Sequence, residues 1–497
     1  MLLDHRGQPI PTQAHRRMSS RRRERRAEIQ AAYDAAQTTS ENAKHWRWAD
    51  SLSSAEANSP EIRQTIRERA RYEVANNSFA AGICDTLANV TIGSGPRLQM
   101  QTPDPTLNAA IESQWRAWCD QTRLAEKLRT AKRARVVDGE VFLQFNTNPR
   151  RNATPVTLDV QVIECDQFAD LSNSQTPDHV SGVHFDAHRN PIRYDQLEQH
   201  PGNAMGGWQQ AAPVSADDVI HMFKADRPGQ IRGVSEMTPA LPLFAHLRRY
   251  TLAVIMAAEL AADHAAVIES QSSPLDEDGG FDGDDLDPFD TAAIDRGMMT
   301  VLPRGWKLSQ LKPEQPITNF QMFRDAILNE IARCLGMPFN VAAGNSAGYN
   351  YSSGQLDHGF FDDTVRVDRD AWRVNCIDRI FHAWLDEALL VPGYLPPLGS
   401  NAGNLDRRFY WDGRTHGDPA KQARATETLS RIGLLTDEAY LLREGIDPEE
   451  HHQQRIRQAR RRAALAAIEQ PDLQQPAQPT SAPGTKPSTR QTRSVAA

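Results

Sequence analysis

The run GNSAG at 344–348 spells G-x-S-x-G, the pattern in which serine hydrolases present their nucleophile, and Asp357 and His358 follow close behind. In that chemistry His358 would take the proton of Ser346 Oγ as it attacks an acyl carbon. A nucleophile elbow, however, needs a strand that feeds a sharp turn and opens a helix beside backbone oxyanion donors. GMPFNVAA, before the loop, is reached from a helix, and YNYSS, after it, is polar and is not expected to start a helix at once. His358 is also too near in sequence for the usual Ser…Asp…His order. The pattern arises often by chance, so a serine hydrolase stands as the alternative to a flexible polar loop in which Ser346 does no chemistry.

Carboxylates offer a second chemistry. Asp138 and Glu140, with Glu164 and Asp166 on neighbouring strand-like runs, could converge on Mg²⁺ and make a nuclease. These runs carry no lysine to organise an attacking water, and acids at strand ends are commonly rim residues. The insert PLDEDGGFDGDDLDPFD carries Asp276, Glu277, Asp278, Asp282, Asp284, Asp285, Asp287 and Asp290 with no base. It fails as an EF-hand, because Gly280 stands at the third ligand position and Phe281 replaces the required glycine. A solvated acidic loop with at most loose cation binding is the better reading. GSG at 93–95 lacks the strand and the further glycines of a dinucleotide loop, and no G-x-x-x-x-G-K-[ST] occurs. The 15 histidines show no paired-ligand spacing. No catalytic, cofactor or metal residue is therefore assigned, and the expectation is a structural protein, not an enzyme.

The elements that would carry these residues are legible in part. Ser59, Pro60 and Glu61 read as N-cap, N1 and first-turn acid of a helix lined by Ile62, Ile66, Ala70 and Val74. A second helix with Phe79, Ile83 and Leu87 ends at Gly93 and Gly95. From about 130 the period changes: VFLQF (141–145), TLDVQVIE (157–164), SGVHFDAHRNPIRY and DDVIHMF read as strands, with AHRNP (187–191) a hairpin turn. One long helix of roughly 45 Å is expected from Met237 to about Ser270, then a strand pair around MMTVLPRGWKLSQL. A helix follows over 320–335, then a long amphipathic one with Ile377, Ile380, Phe381, Trp384 and Leu385 at 3-4 spacing, and a helical pair broken at Gly433. The fold class is α+β.

Length and charge fit several parts. A chain of 497 residues allows about three domains, and 39% hydrophobic with 24% charged residues suggests extended architecture with polar tails. Cys84, Cys119, Cys165, Cys334 and Cys376 are scattered, which reads as reduced thiols. No apolar run nears the ~18–20 residues of a membrane span, and the N-terminus has no signal-peptide core. Net charge is -8, yet Arg16, Arg17, Arg21, Arg22, Arg23, Arg25 and Arg26 crowd the N-terminus, and Arg455, Arg457, Arg460, Arg461 and Arg462 crowd the other end. Basic ends suit phosphate or an acidic partner, while HWRWAD is the one aromatic anchor of the arm.

Several runs, taken in order, resemble the lambda-type family of tailed-phage portal proteins. They are RERARYEVANNSFAAGICDTLANVTIGSGPRLQ, DGEVFLQF, LDVQVIECDQF, SGVHFDAHRNPIRYDQLEQHPG and SADDVIHMFKADRPGQIRGVSEMTPAL, then MTVLPRGWKLSQL, FRDAILNEIARCLGMPFNVAAGNSAGYNYSSGQ and DPAKQARATETLSRIGLLTDEAY. RPGQIRG and NYSS are the sharpest; the family usually has an Arg or a small residue soon after NYSS, where this chain has Gly354 and Gln355.

The resemblance implies a dodecameric ring at one capsid vertex, through which duplex DNA is packaged and ejected. It also implies terminase large subunit, major capsid protein, scaffold and head-tail connector proteins as partners, no membrane, and assembly in the host cytoplasm into the virion. On that plan 1–58 is a basic arm and 59–236 an α+β wing. Residues 237–270 are a first stem helix, 271–315 the clip, and 316–340 a second stem helix. A tunnel loop follows at 341–356, a long helix and return at 357–417, a helical crown at 418–468 and a tail at 469–497. Asn345, Ser346, Tyr349, Asn350, Tyr351, Ser352, Ser353 and Gln355 would face DNA. Asp276, Glu277, Asp278, Asp284 and Asp285 would dock partners at the clip. Arg21, Arg22, Arg23, Arg25 and Arg26 would touch shell, scaffold or DNA.

Overall fold

A computed structural model describes residues 40, 43–149, 155–169, 176, 178–203, 210–263, 267–270, 306–309, 317–398, 405–413 and 419–469. The arm arginines 21–26, the acidic insert and the tail from 470 lie outside the described residues. The chain divides into two compact units, residues 1–59 with 226–230, and 60–225 with 231–497. In the first, helix α1 (Ser54–Ala57) is capped by Ser53, and Arg227 Nη2 donates to the Leu52 carbonyl at 2.9 Å. Trp46 and Trp48 are exposed within this unit, so HWRWAD anchors no core among its described residues.

The second unit begins with α2 (Pro60–Asn76) and α3 (Ser78–Ile92). Pro60 opens the first as expected; Ala70 and Val74 are buried, while Ile62 is exposed. Asn77 caps α3, and Gly93 ends it at φ 58. After β1 (Arg97–Met100) come two helices that sequence reasoning missed, α4 (Pro105–Thr122) and α5 (Leu124–Asp138). Their signal was present: Asp104 Oδ1 caps the amides of Thr106 and Leu107, with Pro105 at the first helical position.

The strand runs read from the sequence appear as β2 (Glu140–Thr147), β3 (Leu158–Ile163), β5 (Val183–Phe185), β6 (Pro191–Leu197) and β8 (Val219–Phe223), and the structure adds β4 (His179–Val180) and β7 (Ala211–Ser215), all paired antiparallel. They form a three-stranded sheet, β3-β2-β8, and a four-stranded one, β4-β5-β6-β7. β2 is covered on both faces, so period 2 sorts its apolar residues between two cores. Val141 and Leu143 face one that holds Trp115, Trp118, Phe381 and Trp384, while Phe142 faces another with Phe168 and Tyr194. Trp115 stacks on Trp118 at 5.1 Å and meets Trp384 edge-on at 5.3 Å, contacts of about 0.5–1.5 kcal/mol each beyond area burial.

The helix expected over 237–270 is shorter. It runs as α6 (Leu241–Asp263), and Val267–Ser270 is a strand, β9. β9 pairs with β10 (Trp306–Ser309), so the strand pair joins two distant segments, not the halves of 298–311. Val267 and Ile268 are β-branched and follow a run of alanines, where the helical pattern gives way to strand propensity. α7 (Ile317–Cys334) matches the expected helix.

The stretch expected as loop, 341–356, is largely helical: α8 (Phe339–Ala343) covers its start, and α9 (Tyr351–Trp372) begins inside NYSS. Asn350 Oδ1 accepts from Ser353 N at 2.8 Å, the N-cap that propensity for Asn, Ser and Gly as turn residues concealed. A π-turn, Arg373–Ile377, links α9 to α10 (Asp378–Leu390) as one long element. β11 (Arg407–Tyr410) pairs with β1. Helices α11 (Pro419–Arg431) and α12 (Asp437–Arg443) are the pair broken at Gly433, and α13 (Pro448–Glu469) carries the second arginine run. All five cysteines are free, and burial pushes the Cys84 thiol up to about 12.

Candidate functional site

The true loop is Gly344–Asn350. Gly344 closes α8 at φ 60, Gly348 turns at φ 84, and neither has a neighbour within 4 Å of where a Cβ would stand. Asn345 Oδ1 accepts from Ala347 N at 2.9 Å, an Asx-turn, and Tyr349 N donates to the Ser346 carbonyl at 3.2 Å. Residues 344–348 and Asn350 are exposed, and Tyr349 is half-buried against Gly354. Of the other expected channel residues, Ser352, Ser353 and Gln355 stand on the first turns of α9, and position 351 is its first residue.

This geometry does not make an elbow. A helix does follow Ser346 closely, against expectation, but a five-residue helix and not a strand precedes it. His358 Nε2 lies 3.1 Å from Asn340 Nδ2, and Ser346 Oγ has no hydrogen bond among the described residues.

The carboxylates do gather, yet arginines occupy the place of a cation. Asp138 Oδ1 takes Arg71 Nε at 2.7 Å, and Asp166 takes Arg67 at 2.5 Å and Arg71 at 2.7 Å. The two guanidiniums hold the Asp166 carboxyl below its usual range despite burial. Glu140, fully buried, is bound by Arg232 Nη2 at 2.7 Å and His221 Nε2 at 2.9 Å. The guanidiniums neutralise these acids, leaving a structural ion-pair network where a two-metal nuclease would need open ligands.

What the structure adds is exposed apolar helix surface. On α6, Phe244 and Leu247 are buried in this chain's own core. Farther along, Leu252, Ile255 and Met256 are exposed, with Met322 and Phe323 of α7. Tyr250 joins the two helices, stacking on Phe320 at 5.6 Å and meeting Phe323 at 4.8 Å. On α9, Leu356, Phe360 and Val367 are 67%, 74% and 71% exposed. Their spacing of four and seven puts them in one stripe. That spacing was readable, but the expectation of a loop through 356 hid it.

The family model described as phage portal protein, lambda family, matches residues 40–369. The chain belongs to that family. The portal chain is also similar to solved structures. A chain in the neck of a native GTA particle computed with C12 symmetry is 15% identical, with 78% of this chain and 94% of that chain covered and a TM-score of 0.43. A chain in the virion of a native gene transfer agent particle is 16% identical, covering 79% and 98%, with a TM-score of 0.42.

In the portal chain the matched runs meet physically. Arg232, from RPGQIRG, sits on Glu140, from DGEVFLQF, and also donates to the carbonyls of Phe168 at 2.9 Å and Ser181 at 2.7 Å. Gly233 N donates to Glu140 Oε2 at 2.8 Å. One guanidinium thus ties β2, the segment after β3 and the β4-β5 turn, with Glu140 held well below the usual carboxylate range chiefly by Arg232 against the cost of burial. A second buried set, Lys132 and Arg135 of α5 on Asp368 at 2.8 and 2.7 Å, fixes α9 against α5.

Proposed function

We propose that copies of this portal-family chain close into a ring, twelve in number, around a channel at one capsid vertex through which duplex DNA is packaged and ejected. The observation that carries this is the pair of exposed apolar faces, Leu252, Ile255 and Met256 with Met322 and Phe323, and Leu356, Phe360 and Val367. Cyclic rings use heterologous contacts, in which one face of a subunit meets a different face of the next. Exposed apolar helix surface of this kind marks such contacts. Loop 344–350 lines the channel in this reading. It carries no charge, so it can touch a sliding duplex without gripping phosphates. The acidic insert, with Asp276, Glu277, Asp278, Asp284 and Asp285, docks terminase and later the head-tail proteins, and the arm arginines 21–26 meet shell or scaffold.

The test is negative-stain imaging with light scattering of the purified full chain. Rings with a central pore are expected, and Phe360→Asp with Ile255→Asp should yield smaller species with unchanged far-UV circular dichroism. Discrete globules without a pore, under conditions that keep the native fold, would remove this reading.

A further inference from the structure

We propose that His179, His184 and Asp195 form a divalent-cation site of the zinc type, binding one ion per chain and clamping the β4-β5 hairpin onto β6. The backbone builds it. Ser181 and Gly182 both have positive φ, 53° and 77°, the two-residue turn that joins β4 to β5 in tight register. That register sets His179 directly opposite His184. Val183 and Tyr194 are paired and turned into the core around Phe142, so by strand alternation their neighbours His184 and Asp195 emerge together on the other face. Asp195 N also donates to the Gly182 carbonyl at 2.9 Å.

The side chains converge. His179 Nε2 lies 3.0 Å from Asp195 Oδ2, and His184 Nε2 lies 2.9 Å from both oxygens of the same carboxylate. Two imidazole nitrogens therefore aim at one oxygen. With ligand distances of about 2.0–2.1 Å in a tetrahedral site, neighbouring ligand atoms stand about 3.3 Å apart. Each nitrogen–oxygen contact needs to open by only a few tenths of an ångström, and the two rings already stack at 4.0 Å. All three residues are half-buried, so water can fill the fourth position. Arg193 Nη2 lies over the His184 ring, 3.1 and 3.2 Å from its nitrogens, and its charge balances Asp195. With neutral imidazoles the set carries no net negative charge, which places the affinity below that of thiolate sites. The other carboxylate–histidine group, Glu164, Asp166 and His200, differs in this respect, because Arg67 and Arg71 already hold Asp166.

The experiment titrates chelator-stripped full-length protein with zinc chloride by calorimetry and with cobalt chloride by visible absorption. One equivalent per chain with tetrahedral cobalt bands is expected. His179→Gln and His184→Ala should each weaken binding at least tenfold, and Arg193→Gln should tighten it about tenfold. His451→Ala with His452→Ala should leave it unchanged. Binding that persists in the His179→Gln/His184→Ala double variant overturns the proposal. If the variants do not fold, the wild-type cobalt spectrum decides, and a spectrum of hydrated cobalt overturns it.

Discussion

Gly139 and Gly233 pass back to back. A Cβ on Gly233 would stand 2.2 Å from the Gly139 carbonyl oxygen, and one on Gly139 would stand 2.2 Å from the Val234 carbonyl carbon. Gly139 also has φ 91, a conformation that L side chains rarely adopt. The approach is what lets Arg232 reach Glu140. Gly233→Ala is expected to lower stability by about 3 kcal/mol or more in urea unfolding. Gly354→Ala is the control. It is a helical position whose nearest neighbour is 3.8 Å away, and the change should be neutral or stabilising.

Glu140→Ala strips the partner from a buried guanidinium and should cost about 3–5 kcal/mol. The double variant Glu140→Met/Arg232→Met removes both charges, and its loss should be well below the sum of the two single losses. A double-mutant cycle from denaturant melts reads this directly.

Glu112 is the group to follow with pH. Its Oε1 accepts the Met100 amide at 2.6 Å, and burial pushes its carboxyl up to about 7. The native state thus holds this proton more tightly than the unfolded chain, whose glutamate titrates near about 4.3. The stability it contributes is complete below that value and is lost as pH rises through about 7. Glu112→Gln should flatten the fall in melting temperature between about pH 5 and 7.5. Asp166 and Asp368, whose carboxyls are depressed, act at lower pH in both proteins.

Asn350→Ala removes the cap of α9 and should cost about 0.5–2 kcal/mol, whereas Ser346→Ala should fall within about 0.5 kcal/mol of wild type. A fluorophosphonate probe should leave Ser346 unlabelled. Labelling that disappears in Ser346→Ala would restore the hydrolase alternative.

Much of this fold was legible where one signal dominated. The strand-like runs VFLQF (141–145) and TLDVQVIE (157–164) marked β2 and β3, and the 3-4 spacing of Ile377, Ile380, Phe381 and Trp384 marked α10. What stayed hidden depended on partners distant in sequence. β9 looked helical because strand β10, its partner, lies beyond the acidic insert. NYSS looked like loop because turn residues also make caps. The carboxylates read as an open cluster because nothing local shows that Arg67, Arg71 and Arg232 will arrive from elsewhere. Likewise His179 and His184 have no motif spacing; a two-residue turn makes them neighbours.

The π-turn at Arg373–Ile377 separates the exposed stripe of Leu356, Phe360 and Val367 from Ile380, Phe381 and Trp384, which are buried. Each residue turns an α-helix by about 100°. Adding or deleting a single residue in this short hinge of the backbone would therefore swing Leu356, Phe360 and Val367 by more than a quarter-circle relative to the tryptophan core. Such a change would leave composition and local helicity almost untouched while pointing every contact of that stripe in a new direction.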